Sequence, residues 1–439
     1  MIKRDALRCV PFAYPSLACH IFSYEYKWGA DMKKIIAFLM ALILLICPTA
    51  ANAISDDDKG EVDEIISSGM MIESIDSALV GADPSTLEIK ALSYILVEAS
   101  SGKVLVEHNA KERMSPASIT KIMTLLLVME ALEDGKITLE DNVTCSEHAN
   151  SMGGTQIWLK VGETMTVHEL LKAVVVSSAN DATVALAEHV AGSEEGFTKL
   201  MNDRAKQLGM NDTTFTNATG FDDENHKTTA YDISLMSREL LKHQKIFEYT
   251  SIWMDSLRGG ETQLVNTNKL IRFYKGANGL KTGTTVGAGY CLAATALRDG
   301  MQLIAVNLGS STTDDRFFSA RKLLDYGFAN YEVTKPEISL EELTPVKVAH
   351  GTKREVSCEV ANDNTMLLQK GQKSQIVQEV ILEELVEAPI DKGQQIGKIV
   401  MKLDGEIVGE CPVTAAEAVE KMTILKSLEL FLKNLVSMK

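Results

Sequence analysis

The sequence predicts an α+β fold, an antiparallel sheet flanked by helices, followed by a small all-β domain and a C-terminal amphipathic helix. Three patterns carry that reading. β-type runs stand at both ends of residues 89–334, as a hairpin from Tyr94-Ile95-Leu96-Val97 to Val104-Leu105-Val106 and as a meander ending in Met301 to Leu308, with apolar helical segments between them. Past Pro336 the texture changes to short alternating runs separated by Gly and Asp, clearest from Lys398 to Val408, which marks a β domain over 335–414. Residues 415–439 then set Val419, Met422, Leu425, Leu428, Phe431, Leu432, Leu435 and Val436 at helical spacing among Lys421, Lys426, Lys433 and Lys439.

The 439 residues suffice for two or three domains, and 45% hydrophobic with 24% charged residues is the composition of a soluble globular protein. A net charge of −16 argues against a nucleic-acid partner. Met32-Lys33-Lys34, the apolar run Ile35 to Ile46 and the small-x-small site Ala51-Asn52-Ala53 make 32–53 a secretory signal peptide whose core is too short for a spanning helix. Residues 1–31 then read as a non-native extension upstream of the signal's start, and 54–88, acidic from Asp56 to Glu64, as a mobile leader. Ile46 before Cys47 speaks against lipidation. Export permits disulfides, yet Cys145, Cys291, Cys358 and Cys411 have no framework or zinc spacing and read as free thiols. His168-Glu169 lacks the second histidine of a metalloprotease helix, Lys172 standing in its place, so neither metal nor cofactor is expected.

Ser115 reads as a helix N-cap and Pro116 as the first helical residue, with Ser118 in the first turn. From Ile119 to Leu132 the helix is apolar nearly all round, hence buried, and Glu133-Asp134-Gly135 stops it. Lys121 is the anomaly. It lies one turn from Ser118 on the same face, and burial would lower its pKa towards that of a usable base for a serine nucleophile. The spacing alone is not diagnostic, since Ser100 to Lys103 repeats it in the hairpin turn and Ser319 to Lys322 on a surface helix.

Thr166 caps a second helix, Val167 to Val176, which breaks at Ser177-Ser178-Ala179-Asn180-Asp181 and resumes from Ala182 to Val190 before Gly192. A polar break between apolar helices needs partners, although a turn capped by Ser and Asn would also account for it. Lys281-Thr282-Gly283 falls on a strand of the meander, where the glycine lets another backbone approach; an ordinary edge strand with a solvated lysine would read the same way. Asp314 to Phe328 is an amphipathic helix able to cover the sheet.

In this order, Ser118-x-x-Lys121, Ser178-x-Asn180 and Lys281-Thr282-Gly283 are the signatures shared by penicillin-binding proteins and class A β-lactamases. With Gly154-Thr155-Gln156-Ile157, Asn217-Ala218-Thr219-Gly220-Phe221-Asp222 and Gly287-Ala288-Gly289-Tyr290, the chain resembles the D-alanyl-D-alanine carboxypeptidases, the low-molecular-mass penicillin-binding proteins. The resemblance spans nearly everything after the signal. It implies a β-lactamase/transpeptidase-like catalytic domain over 89–334 that removes the terminal D-alanine from peptidoglycan stem pentapeptides through a serine acyl-enzyme, a reaction that β-lactams intercept covalently. It further implies Ser118 as nucleophile, Lys121 as base, Ser178 as proton relay to the leaving amine, and Asn180 as a ligand of the substrate amide and of Lys121. Lys281 and Thr282 would attract the terminal carboxylate, and Gly283 and Thr284 would complete the substrate-binding strand. The N–H groups of Ser118 and Thr284 would form an oxyanion hole, with the peptide laid beside the strand.

The tail 415–439 is expected to hold the enzyme peripherally on the outer face of the bacterial cytoplasmic membrane, docking on the β domain or pairing with another copy being the alternative. Rival functions use the same scaffold. A class A β-lactamase needs a deacylating glutamate, and no Glu-x-x-x-Asn pattern occurs between Asp212 and Glu224. A D,D-endopeptidase differs in pocket shape. A non-catalytic muropeptide-binding protein would have no reason to keep Ser118, Lys121, Ser178, Asn180 and Lys281 together.

Overall fold

The computed structural model describes residues 79–335, 338–360 and 365–429. The upstream extension, the signal peptide, most of the leader and the last ten residues of the tail lie outside them.

Strands β1 (Ser93–Glu98), β2 (Val104–His108), β3 (Ala277–Thr285), β4 (Gly289–Arg298) and β5 (Met301–Ser310) form one antiparallel sheet in the order β2-β1-β5-β4-β3. The predicted hairpin and meander are both present. Asp299 and Gly300, at φ 49° and 79°, make the tight turn between β4 and β5. β1 joins the two parts by pairing with β5 along its whole length, which leaves β3 on an open edge.

Alternation along these strands divides the core in two. Ile95, Val97, Ala293, Ile304 and Val306 face one cluster with the helices α1 (Lys121–Glu133), α2 (Val167–Lys172), α3 (Asn180–Ala191) and α4 (Ala230–Leu240). Leu96, Leu292, Ala294, Leu303 and Ala305 face the other, beneath α5 (Thr313–Asn330). Every residue of α1 from Lys121 to Met129 is buried, as its all-round apolar sequence predicts. Thr166 and Glu169 form a capping box at the start of α2.

Four expectations are corrected. Ser115 does not cap a helix: Met114 pairs with Thr228, Lys227 Nζ donates to Ser115 Oγ at 2.9 Å, and a single 3-10 turn over Ala117–Thr120 leads into α1. Ser319 is not on a surface face, because it is buried and its Oγ accepts the Lys90 N–H at 2.9 Å. The end of the leader is docked: Leu79 and Leu87 are buried, and Asn330 binds both the Gly81 N–H and the Leu79 carbonyl. The tail is extended where a helix was expected, since a strand runs to Ala415, Val419 is buried and bridges Ile390, and Lys421 bridges Gly351; helical backbone starts at Ile424.

The C-terminal domain is all β. Cys358–Val360, Glu406–Ala415, Gln395–Leu403 and Val377–Leu382 make a four-stranded sheet, and Glu355–Val356, Val346–Ala349 and Leu385–Glu387 a three-stranded one. Tyr331–Thr334 already pairs with Met366–Gln369, so β pairing with this domain begins directly after α5. Cys145, Cys291 and Cys358 are thiols, and Cys411 is buried in this domain's core.

Candidate active site

Ser118 stands in the 3-10 turn ahead of α1, and Lys121 opens that helix one turn later. Lys121 is fully buried, with Nζ 2.9 Å from Ser118 Oγ, 2.7 Å from Asn180 Oδ1 and 2.7 Å from the Thr219 carbonyl oxygen. Burial, reinforced by the charge of Lys281, holds its pKa well below the ordinary 10.5. Asn180 Oδ1 and the Thr219 carbonyl accept from Nζ and carry no proton of their own, so Ser118 is the one partner of the three with a proton to give.

In the polar break after α2, the side chains of Ser177, Asn180 and Asp181 all find partners. A π-helical turn over Ala173–Ser177 ends at Ser178 in left-handed conformation (φ 65°), and Asn180 starts α3, two residues earlier than predicted. The Asn180 backbone N–H donates to the Thr155 carbonyl at 2.7 Å and its Nδ2 to the Gly153 carbonyl at 2.8 Å, while its Oδ1 receives Lys121. These contacts offset the cost of placing polar side chains inside an apolar helix pair. Among the described residues no hydrogen bond joins Ser178 to Ser118, Lys121 or Lys281.

Strand β3 closes the site from the open sheet edge. Lys281 is buried rather than solvated, its Nζ donates to the Thr282 carbonyl at 3.3 Å, and burial followed by the charge of Arg316 pulls its pKa down to about 7. Thr282 Oγ1 is 2.7 Å from Thr267 Oγ1. At Gly283 the approaching backbone is the chain's own: a Cβ would lie 2.9 Å from the Pro116 carbonyl oxygen and 3.0 Å from the Ser118 nitrogen. Only glycine lets β3 lie this close to the Ser118 turn.

Three supports have roles that the motifs do not announce. Asn217 Oδ1 accepts the N–H groups of Thr219, Gly220 and Phe221, which turns the Thr219 carbonyl towards Lys121. Arg316 Nη1 donates to Thr284 Oγ1 at 3.1 Å from a helix read as surface. His226, buried and with its pKa lowered by burial to about 4, takes the Thr216 N–H on Nδ1 and so donates from Nε2 to Thr120 Oγ1 at 2.8 Å. Thr120 Oγ1 in turn donates to the Ala117 carbonyl, just before Ser118.

A serine hydrogen-bonded to a buried lysine at the head of the central helix, beside an open sheet edge, defines the class of penicillin-interacting serine peptidases. The chain belongs to the D-alanyl-D-alanine carboxypeptidase family, which residues 80–312 match, and residues 331–421 match the penicillin-binding protein 5 C-terminal domain. It is 44% identical over 353 residues to the D-alanyl-D-alanine carboxypeptidase DacF of Bacillus subtilis (strain 168), covering 79% of this chain and 91% of that protein. Among solved structures it is similar to penicillin-binding protein 5 from Haemophilus influenzae, with TM-score 0.67 and 33% identity over 76% of this chain and 99% of that one. It is also similar to penicillin-binding protein D2 from Listeria monocytogenes in its ampicillin-bound form, with TM-score 0.51 and 33% identity over 55% of this chain and 99% of that one. The protein is a serine D-alanyl-D-alanine carboxypeptidase, and its family implies a peptidoglycan stem peptide as substrate and β-lactams as ligands.

Proposed function

We propose that Ser118 is the nucleophile of this carboxypeptidase and that Lys121, neutral in the resting site, is its base. The observation that carries this reading is the three-contact environment of Lys121 Nζ, in which Ser118 Oγ, at 2.9 Å, is the one partner with a proton to give. Ser118 Oγ attacks the carbonyl between the two D-alanines while Lys121 takes its proton. The N–H groups of Ser118 and Thr284 hold the oxyanion. As the C–N bond breaks, Ser178 passes the proton to the departing amine, and water then hydrolyses the ester on Ser118. Asn180 orients the substrate amide, and Lys281 with Thr282 attracts the terminal carboxylate, whose charge would raise the pKa of Lys281 again and keep it cationic. The peptide adds to the free edge of β3, held against the Ser118 turn by Gly283. In the full chain, Ser118→Ala is expected to abolish both D-alanine release from a pentapeptide ending in D-Ala-D-Ala and covalent labelling by penicillin. Persistence of either at more than a tenth of the wild-type rate would move the nucleophile elsewhere.

We also propose that the exported enzyme sits on the outer face of the cytoplasmic membrane through residues 415–439. Ile424, Leu425 and Leu428 are exposed on the helical stretch that begins there, with Lys426 beside them, the pattern of a helix lying in a membrane surface. Among the described residues no helix is long and apolar enough to cross a membrane. The full chain should co-sediment with anionic lipid vesicles, and a chain ending at Met422 should stay in solution; equal sedimentation of both would remove the anchor.

A further inference from the structure

The backbone that binds Asn180 leads into a feature the reaction does not use. Three residues after Thr155 comes Trp158, whose side chain is 74% exposed and whose backbone is left-handed, with φ 60°. A bulky residue in that conformation is an outlier that persists only where its neighbours over-determine it. The neighbours here are explicit. The fully buried carboxylate of Asp181 accepts the N–H of Ile157 at 3.2 Å and of Leu159 at 3.0 Å, one on each side of Trp158. Arg258 Nη1 binds the Ile157 carbonyl at 2.9 Å. The fold thus uses a buried carboxyl group to turn an indole outward, against the hydrophobic preference to cover it.

Trp158 opens onto a cleft of about 830 Å³ between residues 157–163 and 258–263. Val161 adds apolar surface beside the indole, and Lys160, Glu261 and Gln263 supply the rim. Arg258 is engaged by Glu163 at 2.7 Å and by the Ile157 carbonyl, so it belongs to the frame. Both walls run to the active site. One continues through Thr155 to Asn180, and the other through Thr267 to Thr282. At about 3.8 Å per Cα step, Trp158 lies within roughly 11 Å of Thr155, whereas an extended pentapeptide spans about 16–18 Å.

We propose that this cleft is a glycan subsite, taking an N-acetylated hexosamine ring of the peptidoglycan strand to which the stem peptide is attached; this rests on the stem-peptide reading of the active site. A flat aromatic face, carried on a backbone held at Ile157 and Leu159, matches the C–H face of a hexopyranose. The mixed donors and acceptors of the rim match its hydroxyl and acetamido groups. Charges of both signs on the rim give no bias towards an acidic or a basic peptide side chain.

Calorimetric titration with chitotetraose, an oligomer of N-acetylglucosamine, tests the subsite without turnover. The full chain should bind it, Trp158→Ala should weaken binding by about tenfold or more, and Trp158→Tyr should stay within about threefold, a flat ring being kept. No binding to wild type, or equal binding to Trp158→Ala, overturns the proposal even if the carboxypeptidase assignment holds. The second readout is the ratio of kcat/KM for D-alanine release from a disaccharide-linked pentapeptide to that from the free pentapeptide. It should exceed one in wild type and fall to near one in Trp158→Ala. A ratio of one in wild type overturns attachment to the same strand. Loss of release from both substrates, with chitotetraose still bound through Trp158, would count against the catalytic reading and sustain the subsite.

Discussion

Lys121→Met is expected to slow acylation of Ser118 by penicillin, and D-alanine release, by roughly 100- to 10,000-fold, the range a positioned general base supplies, with the fold retained. Methionine matches the length of the lysine stem and removes a buried amine that was costly to desolvate. The loss falls on Asn180 Oδ1 and the Thr219 carbonyl, which give up their donor at about 1–3 kcal/mol for a buried group left unpaired. At ~2–4 °C per kcal/mol, with two acceptors exposed to that cost, the melting temperature should drop by less than about 24 °C. The pH profile separates the chemical loss from that structural one. Only neutral Lys121 can accept the serine proton, so wild-type acylation should rise with pH as the ammonium deprotonates. That limb should lie well below the ordinary 10.5, and the residual rate of Lys121→Met should lack it. Wild-type rates in the variant, or the same rising limb, would sink the base assignment.

Lys121 stands out in the sequence because its pairing with Ser118 and its burial are local, although its other two partners, Asn180 and Thr219, are distant. Ser118 and Lys121 share one helical turn, and the apolar run after them announces burial without any tertiary information. Lys281 was harder. Its strand was legible from the meander, but an edge position suggests solvent, and its burial comes from packing that the strand's own residues do not encode. Thr219 and His226 act on the Ser118 turn from a loop about a hundred residues downstream, and their contribution rests on which backbone atoms face the lysine. Arg316 is the clearest case. An arginine on an amphipathic helix reads as solvent-facing, yet this one reaches Thr284 because α5 lies across β4 and β5. Trp158 is illegible for the opposite reason: its apolar neighbours Ile157 and Leu159 carry no sign of an outward turn, which depends on a carboxylate more than twenty positions away. The tail shows the same competition. Helical periodicity from Val419 was real, but pairing with Ile390 claims that residue for the β domain and delays the helix to Ile424.

Gly220→Ala is expected to damage fold and site together. Gly220 has φ 88°, and a Cβ there would sit 1.8 Å from the Ala117 carbonyl oxygen, 2.4 Å from its carbon and 2.9 Å from Thr120 Oγ1. Backbone cannot yield as a flexible side chain would. The left-handed conformation costs an L-residue about 1–2 kcal/mol, and forcing apart packed segments a further ~1–3 kcal/mol. The melting temperature should therefore fall by roughly 4–20 °C. Gly209→Ala supplies the control, because Gly209 has φ 76° but nothing within 4 Å of an added Cβ; it isolates the conformational cost from the clash. The separation of the two segments also has a chemical consequence. One carries the Thr219 carbonyl that fixes Lys121, and the other carries Ala117, whose own φ of 49° sets the direction of Ser118 and its N–H against β3. Acylation by penicillin, measured well below the melting transition, should drop at least tenfold in Gly220→Ala and stay near wild type in Gly209→Ala. Equal melting temperatures and equal acylation rates in the two variants would mean that the Ser118 turn tolerates displacement, and that Lys121 alone, rather than the packing of these two loops, sets the geometry of attack.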